Sequence, residues 1–233
     1  MRLTVSKLTV RYRNKTAVNA VDWDLGPGVH ALLGPNGAGK SSLLSTLATL
    51  RKPTSGSFSI DRRTGADVRR TLGYLPQDNL GKSRMTVTEH LTYMAWLKEI
   101  PEHHTPEHIQ ELLAIAELED QAHSRISALS GGMRRRVGIA SALAGHPQLV
   151  ILDEPSAGLD VAQRDRLRSI VSRVAQGATV IVSTHIVEDV LSIADTLTVM
   201  NKGQFIYVGP WEEFGAGRDL AAVEQRYLQA VAR

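Results

Sequence analysis

The segment GVHALLGPNGAGKSSLLSTLATL, residues 28–50, constrains the chain more than any other. An apolar run of strand character passes straight into the loop Gly34-Pro35-Asn36-Gly37-Ala38-Gly39-Lys40-Ser41. A stretch with helical spacing follows and stops before Lys52-Pro53. The loop matches the phosphate-binding pattern G-x-x-x-x-G-K-[ST] in full and in its required strand-to-helix setting. Glycines let backbone N–H groups turn inward around phosphate oxygens, and the helix N-terminus adds a positive dipole. On this pattern Lys40 reaches the β- and γ-phosphates of a nucleotide and Ser41 coordinates Mg²⁺. A plain flexible turn is the competing reading, and the flanking strand and helix argue against it.

The rest of the chain extends this α/β reading. LTVSKLTVRY and AVNAVDWDL read as strands, so the chain opens on sheet; SGSFSID and the short apolar LGYLP follow, the latter ending at Gln77. From about residue 83 the texture turns helical. Thr86 and Glu89 form a capping-box pattern, and Thr105 is expected to cap a helix with Pro106 at its first position. This insertion ends in LSGGMRRRVGIASALAGHP, where Ser130 can cap a helix whose first turn holds two glycines. QLVILDEP is an apolar strand running into two acids, a helix led by Asp160 and closed by Gly177 comes next, and ATVIVSTH is a second apolar strand. Such uninterrupted strands between helices indicate a sheet buried on both faces. The chain closes with a hairpin around Asn201-Lys202-Gly203 and a helix read as polar.

Composition narrows the class. A chain of 233 residues with 42% hydrophobic and 22% charged residues is expected to be globular, and its formal charge of +3 permits contact with an acidic surface without arguing for it, since a nucleic-acid binder is expected to concentrate Lys and Arg on one face. The absence of cysteine excludes disulfides and thiolate metal sites. No window approaches the roughly 20 apolar residues needed to cross a bilayer, so the chain is not expected to span a membrane.

Two features carry chemistry beyond the loop. Asp153 and Glu154 end a buried strand, where a carboxylate pair is costly without a task. Next to a phosphate loop, the first would serve Mg²⁺ and the second would be the general base toward an attacking water. The stretch LSGGMRRRV looks like a second grip on an anion, far in sequence from the first. Helix neighbours sit about 100° apart, so Arg134, Arg135 and Arg136 cannot all face one ligand, and most of the run is read as solvated surface.

Taken together, these residues resemble the ATP-binding subunit of an ABC transporter over nearly the whole chain. Gln77 matches the family's Q-loop, LSGGM its LSGGQ signature, ILDEP its Walker B strand, Ala157-Gly158-Leu159-Asp160 its D-loop and His185 its switch histidine. Met133 departs from the pattern where the family has Gln, a substitution familiar among exporter-type members. The resemblance implies an α/β fold: a P-loop NTPase core with an N-terminal antiparallel β-subdomain and an inserted α-helical subdomain. It implies one domain over 1–233, with 1–82 and 149–233 forming core and β-subdomain and 83–148 the helical part. ATP and Mg²⁺ are the implied cofactors. Glu154, His185 and Gln77 are the expected catalytic set, and Ser41, Gln77 and Asp153 the expected metal set. Nucleotide contacts are expected from Tyr12, stacking on adenine, and from Gly34, Pro35, Asn36, Gly37, Ala38, Gly39, Lys40, Ser41 and Ser42. Asp160, in the D-loop, is expected among the nucleotide contacts as well, and Ser130, Gly131 and Gly132 are expected to contact nucleotide across a head-to-tail dimer, which answers why there are two grips: the second belongs to the partner's ATP. The resemblance further implies a transmembrane permease docked near Gln77 and the stretch 78–89, a place at the cytoplasmic face of the membrane, and export of drug, antibiotic or polysaccharide type. A soluble ABC ATPase acting on ribosomes or nucleic acid usually fuses two cassettes or carries long insertions. A P-loop kinase or GTPase would not need the signature, and no NKxD is present.

Overall fold

The computed structural model describes residues 1–64, 66–77, 83–215 and 220–232. Strands β1 (Leu3–Tyr12) and β2 (Lys15–Leu25) pair antiparallel, and after β3 (Gly28–Leu33) and helix α1 (Lys40–Leu47) the strand β4 (Ser55–Ile60) returns to the other side of β1. This gives a three-stranded antiparallel sheet in the order β2-β1-β4. The remaining elements are α2 (Ala66–Arg70), β5 (Leu72–Leu75), α3 (Val87–Leu97), α4 (Thr105–Ala116), α5 (Gly131–Leu143), β6 (Leu149–Asp153), α6 (Val161–Ala175), β7 (Thr179–Thr184), α7 (Glu188–Leu191), β8 (Thr196–Asn201), β9 (Gln204–Gly209), α8 (Trp211–Gly215) and α9 (Leu220–Ala232). A second sheet runs β5-β6-β7-β3-β8-β9, parallel except for β9, which pairs antiparallel with β8.

The parallel strands β6, β7 and β3 at the centre of the second sheet are buried on both faces, as their apolar sequences require, while the edge strand β9 exposes Ile206 and Val208. Side chains alternate across the sheet with period two. Val29, Ala31, Leu33, Val150, Leu152, Val180 and Val182 face one hydrophobic cluster, shared with α3, α4, α5 and α6. Leu32, Leu149, Ile151 and Ile181 face another, shared with α1 and the antiparallel sheet. The sheet therefore separates a helical side from a β side, with α1 packed in the latter through Leu43, Leu44 and Leu47. The fold is the expected one: a P-loop NTPase core carrying an antiparallel β-subdomain and an α-helical subdomain.

Helix ends follow local chemistry with one exception. Thr86 Oγ1 accepts from Glu89 N–H at 3.2 Å while Glu89 Oε2 accepts from Thr86 N–H at 2.8 Å, closing the capping box of α3. The exception is α4, where Thr105 is not the cap. A 3₁₀ turn over Glu102–His104 leads in, Thr105 is already helical, and its hydroxyl donates to Pro101 O at 3.2 Å, so Pro106 falls at the second helical position. The C-terminal helix also differs from its polar reading. Val223 and Tyr227, four apart, form a buried stripe on α9, and Asn201 Nδ2 donates to Val231 O at 3.0 Å.

His30 on β3 is fully enclosed, with Nε2 against Gly26 O at 2.8 Å and Nδ1 against Thr196 Oγ1 at 2.7 Å. A carbonyl only accepts, so Nε2 carries the proton and Nδ1 receives the threonine hydroxyl. Burial pulls this imidazole below the usual histidine range, and burial does the same at His90 and His108. With folded values depressed, the stabilisation is fully present above the unfolded value of about 6.5 and is lost as pH falls below it. The urea midpoint should therefore drop between pH 7.5 and pH 5.0, and His30→Gln should make that drop shallower. A variant with the same slope as the parent would show that His30 is not held neutral.

Candidate functional site

The end of β3 feeds a loop whose last residue, Gly39, has φ +110°, and a Cβ there would sit 2.1 Å from Ala17 O. Only glycine fits. Gly39 offers no side-chain cap to α1, so the first-turn N–H groups of that helix stay open toward the loop. A cavity of about 360 Å³ opens here, lined by Tyr12, Lys15, Ala17, residues 35–42, Gln77 and Glu154.

Lys40 crosses beneath the loop. Its Nζ donates to Gly34 O at 2.7 Å and Pro35 O at 3.3 Å and lies 3.2 Å from Glu154 Oε1, with the two side chains 5% and 4% exposed. The other oxygen of Glu154, Oε2, is 2.8 Å from His185 Nδ1, and that ring is 45% exposed. Glu154 thus joins the loop lysine to the histidine that follows β7. Its own backbone is unusual, with φ +50° in the left-handed region, and its N–H donates to Ser183 Oγ at 2.9 Å and Ser183 O at 3.2 Å. Asp153, 1% exposed, accepts from the Ser183 hydroxyl at 2.5 Å through Oδ1, while its buried Oδ2 has no hydrogen-bond partner.

Tyr12 is not a core aromatic. It is 37% exposed, its hydroxyl donates to Ser42 Oγ at 3.2 Å, and the Arg51 guanidinium lies 4.3 Å from its ring centroid. The lining therefore gathers Tyr12, Pro35, Asn36, Gly37, Ala38, Gly39, Lys40, Ser41, Ser42, Gln77 and Glu154 around one space, with Gly34 at its root. His185 reaches that space through Glu154.

Ser130, Gly131, Gly132 and Asp160 are not part of this lining. Ser130 caps α5 by accepting from Met133 N–H at 3.2 Å, and Asp160 caps α6 by accepting from Gln163 N–H at 2.8 Å. The two caps adjoin, since a Cβ on Gly132 would lie 2.7 Å from Gln163 Oε1.

The arginine run is not solvated surface, which corrects the sequence reading. Arg135 is 2% exposed and spends every guanidinium donor on main-chain oxygens: Nε on Pro155 O (3.1 Å), Nη1 on Pro76 O (3.0 Å) and Gln77 O (3.2 Å), and Nη2 on Asp153 O and Glu154 O (2.7 Å each). Arg136 Nη1 bonds Ala116 O at 3.1 Å and Glu117 O at 2.9 Å, and Arg134 bonds Leu129 O. The 100° argument correctly separates the three but does not say that each direction ends in solvent. A signal was present: 135, 138 and 142 share one helix face with otherwise small residues, Gly138 and Ala142, as on a buried stripe. Ser183 was likewise missed, its hydroxyl being one of several on an apolar strand.

A separate group, His108, Glu111 and His146, places three donor atoms within 4.8 Å of one another. Gly145 N–H donates to His108 Nε2 at 3.1 Å, which leaves the proton of the neutral ring on Nδ1, 3.4 Å from Glu111 Oε2. A protonated Nδ1 is not a metal ligand, so this hydrogen bonding opposes a metal there.

Residues 18–157 match the family model described as ABC transporter. The chain is 36% identical over 212 residues to the uncharacterized ABC transporter ATP-binding protein YxlF of Bacillus subtilis, covering 91% of this chain and 72% of that one. It is 36% identical to the Nod factor export ATP-binding protein I of Neorhizobium galegae, over 90% of this chain and 62% of the relative. It is 32% identical to the sulfate/thiosulfate import ATP-binding protein CysA of a Synechocystis strain, over 91% of this chain and again 62% of the relative. The solved ATP binding subunit of an ABC transporter superposes with a TM-score of 0.88 at 27% identity, over 99% of both chains. The loop, the strand-end carboxylates and these likenesses agree: the chain belongs to the ABC transporter ATP-binding family and is an ATPase.

Proposed function

We propose that the chain hydrolyses ATP to drive export through a separate membrane permease, as one of two ATPase subunits docked head to tail. The observation that most supports the chemistry is Glu154, buried at the cavity and held between Lys40 and His185. In this reading residues 34–42 hold the phosphates through N–H groups, Lys40 and hydroxyls, and Tyr12 stacks on adenine. Glu154 takes the proton from the attacking water, His185 orients Glu154 and contacts the γ-phosphate, and Gln77 borders the attacking side. Mg²⁺ suits the donors present: the Ser41 hydroxyl, the Gln77 amide and the orphaned Asp153 Oδ2 are hard oxygens, and that buried oxygen lacks any other partner. The ion would neutralise charge on the phosphate oxygens.

Glu154→Gln keeps the shape and removes the base, so turnover should fall about a hundredfold to ten-thousandfold while ATP still binds. Turnover within tenfold of the parent would take the role away from Glu154.

The signature is proposed to grip the partner's γ-phosphate, because Ser130 and Gly131 are exposed at the N-terminus of α5 and outside the chain's own cavity. An acid at 132 would first meet Gln163, whereas a Cβ at 131 meets nothing within 4 Å. Gly131→Asp is therefore the cleaner probe. The monomer should bind a fluorescent ATP analogue as the parent does, and adding the change to Glu154→Gln should abolish the ATP-dependent dimer in a particle-mass measurement. Loss of analogue binding by the folded monomer would place the signature in the chain's own site.

Among the described residues no helix is long and apolar enough to cross a membrane. The reading accordingly seats the chain on the cytoplasmic face of the membrane through the permease. Of the expected docking stretch, residues 78–82 lie outside the described residues. Beside its described part, α3 exposes Tyr93, Trp96 and Leu97, the two rings stacked with centroids 6.0 Å apart, and Met85 is exposed just before that helix. An apolar patch of this kind supports a protein contact. The double variant Tyr93→Ala/Trp96→Ala should lose most of its co-sedimentation with permease-containing membranes while keeping basal ATPase activity within twofold. Undiminished co-sedimentation would move the contact elsewhere. The export direction rests on the LSGGM form and the Nod factor export relative; the import relative is why it needs its own test. In vesicles with the cytoplasmic side outward, ATP added outside should drive the permease's substrate inward, and ATP-driven release would reverse the assignment.

A further inference from the structure

Successive carbonyls of an extended strand point to opposite sides. Those of residues 153, 154 and 155 instead converge on one guanidinium, that of Arg135, which a chain can achieve only by curling. The curl is centred on Glu154, whose φ of +50° is rare for a residue with a long side chain. Its N–H end is pinned by Ser183 and its carbonyl end by Arg135 Nη2. The same guanidinium fixes the carbonyls of Pro76 and Gln77. We propose that Arg135 is a positioning residue for hydrolysis: it holds the main chain of Glu154 in its left-handed turn and that of Gln77 beside it, so that both side chains meet the cavity.

Packing alone does not account for an arginine here. Burying a cation is unfavourable, and burial does pull this guanidinium below its ordinary range. An apolar side chain of similar volume would fill the space at less cost but remove a donor from each of five carbonyls, of which Glu154 O would keep the Ala157 N–H at 3.2 Å. A lysine would bring the charge without the planar fork, reaching some of these oxygens and not all five. The arrangement matches the requirement for five donors fanned in one plane, aimed at two segments that are distant in sequence.

The proposal rests on Glu154 being the base, and the test separates the two. Arg135→Gln and Arg135→Lys are made in the full chain, alone and with Glu154→Gln. In both single variants the affinity for a fluorescent ATP analogue and KM should stay within about threefold of the parent, because the phosphate loop is untouched. The kcat should fall at least tenfold. With Glu154→Gln already present, either change should lower the residual rate by less than threefold, since a positioned base no longer exists to be misplaced. The ATP-dependent dimer of the Glu154→Gln protein should persist. The lysine variant keeps the buried charge and serves if the glutamine variant does not fold. A folded variant with kcat within threefold of the parent overturns the proposal. So does an equal loss of rate in both backgrounds, or loss of the dimer, which would put Arg135 in the service of the signature surface. If Glu154→Gln alone keeps turnover within tenfold, it is the assignment of the base that fails.

Discussion

An ammonium and a carboxylate withdrawn together from water, Lys40 and Glu154, organise this site. Such a pair gains from its mutual attraction only when its remaining hydrogen-bonding positions are filled, and removing one partner strands the other. Here they are filled: Lys40 takes two loop carbonyls and Glu154 takes His185. The pair spans the two motifs that sequence separates by more than a hundred residues, and it requires β3 and β6 to end on the same side of the sheet. The parallel order β6-β7-β3 provides that. It also suggests what nucleotide changes. Phosphate oxygens competing for Lys40 would draw it away from Glu154, freeing the carboxylate oxygen that the lysine now occupies. The resting ion pair and the proposed base are two states of one residue.

Much of this was legible in the sequence because the decisive residues are contiguous. The loop is eight residues in a row, and its strand and helix are adjacent to it. The two acids end a run that is apolar at every position, which already implied burial on both faces, and the alternation of Val150 and Leu152 against Leu149 and Ile151 is that burial realised. Capping residues were legible for the same reason, since Thr86, Ser130 and Asp160 bond N–H groups three residues away. Where a cap depends on what precedes it, as the 3₁₀ turn before Thr105 does, local pattern misplaced it by one position.

What sequence could not supply is anything whose partners come from far along the chain. Arg135 bonds main-chain oxygens 18 to 59 positions away, and main-chain oxygens carry no sequence signal. Its two neighbours, alike in type, also end on carbonyls, so composition invited a surface reading of all three. The orphaned oxygen of Asp153 and the turn at Glu154 were invisible for the same reason: they are properties of how strands are juxtaposed.

Helix α5 acquires a double task from this geometry. At its N-terminus Ser130 and Gly131 are open to whatever docks there, and five residues on, about 7 Å along the axis, Arg135 grips the turn that carries Glu154. A helix is stiff over that distance, and its second turn is packed against the sheet. In the proposed head-to-tail pair, contact at the signature end would act on the same helix that holds the Glu154 turn through Arg135. In a head-to-tail pair each subunit's signature would meet the nucleotide held by the other, so the same helix would relate occupancy of one site to the alignment of the base in the second. The physical requirement for such coupling is an element whose two states both sites bias; in the proposed dimer α5 with Arg135 is the element that lies between them.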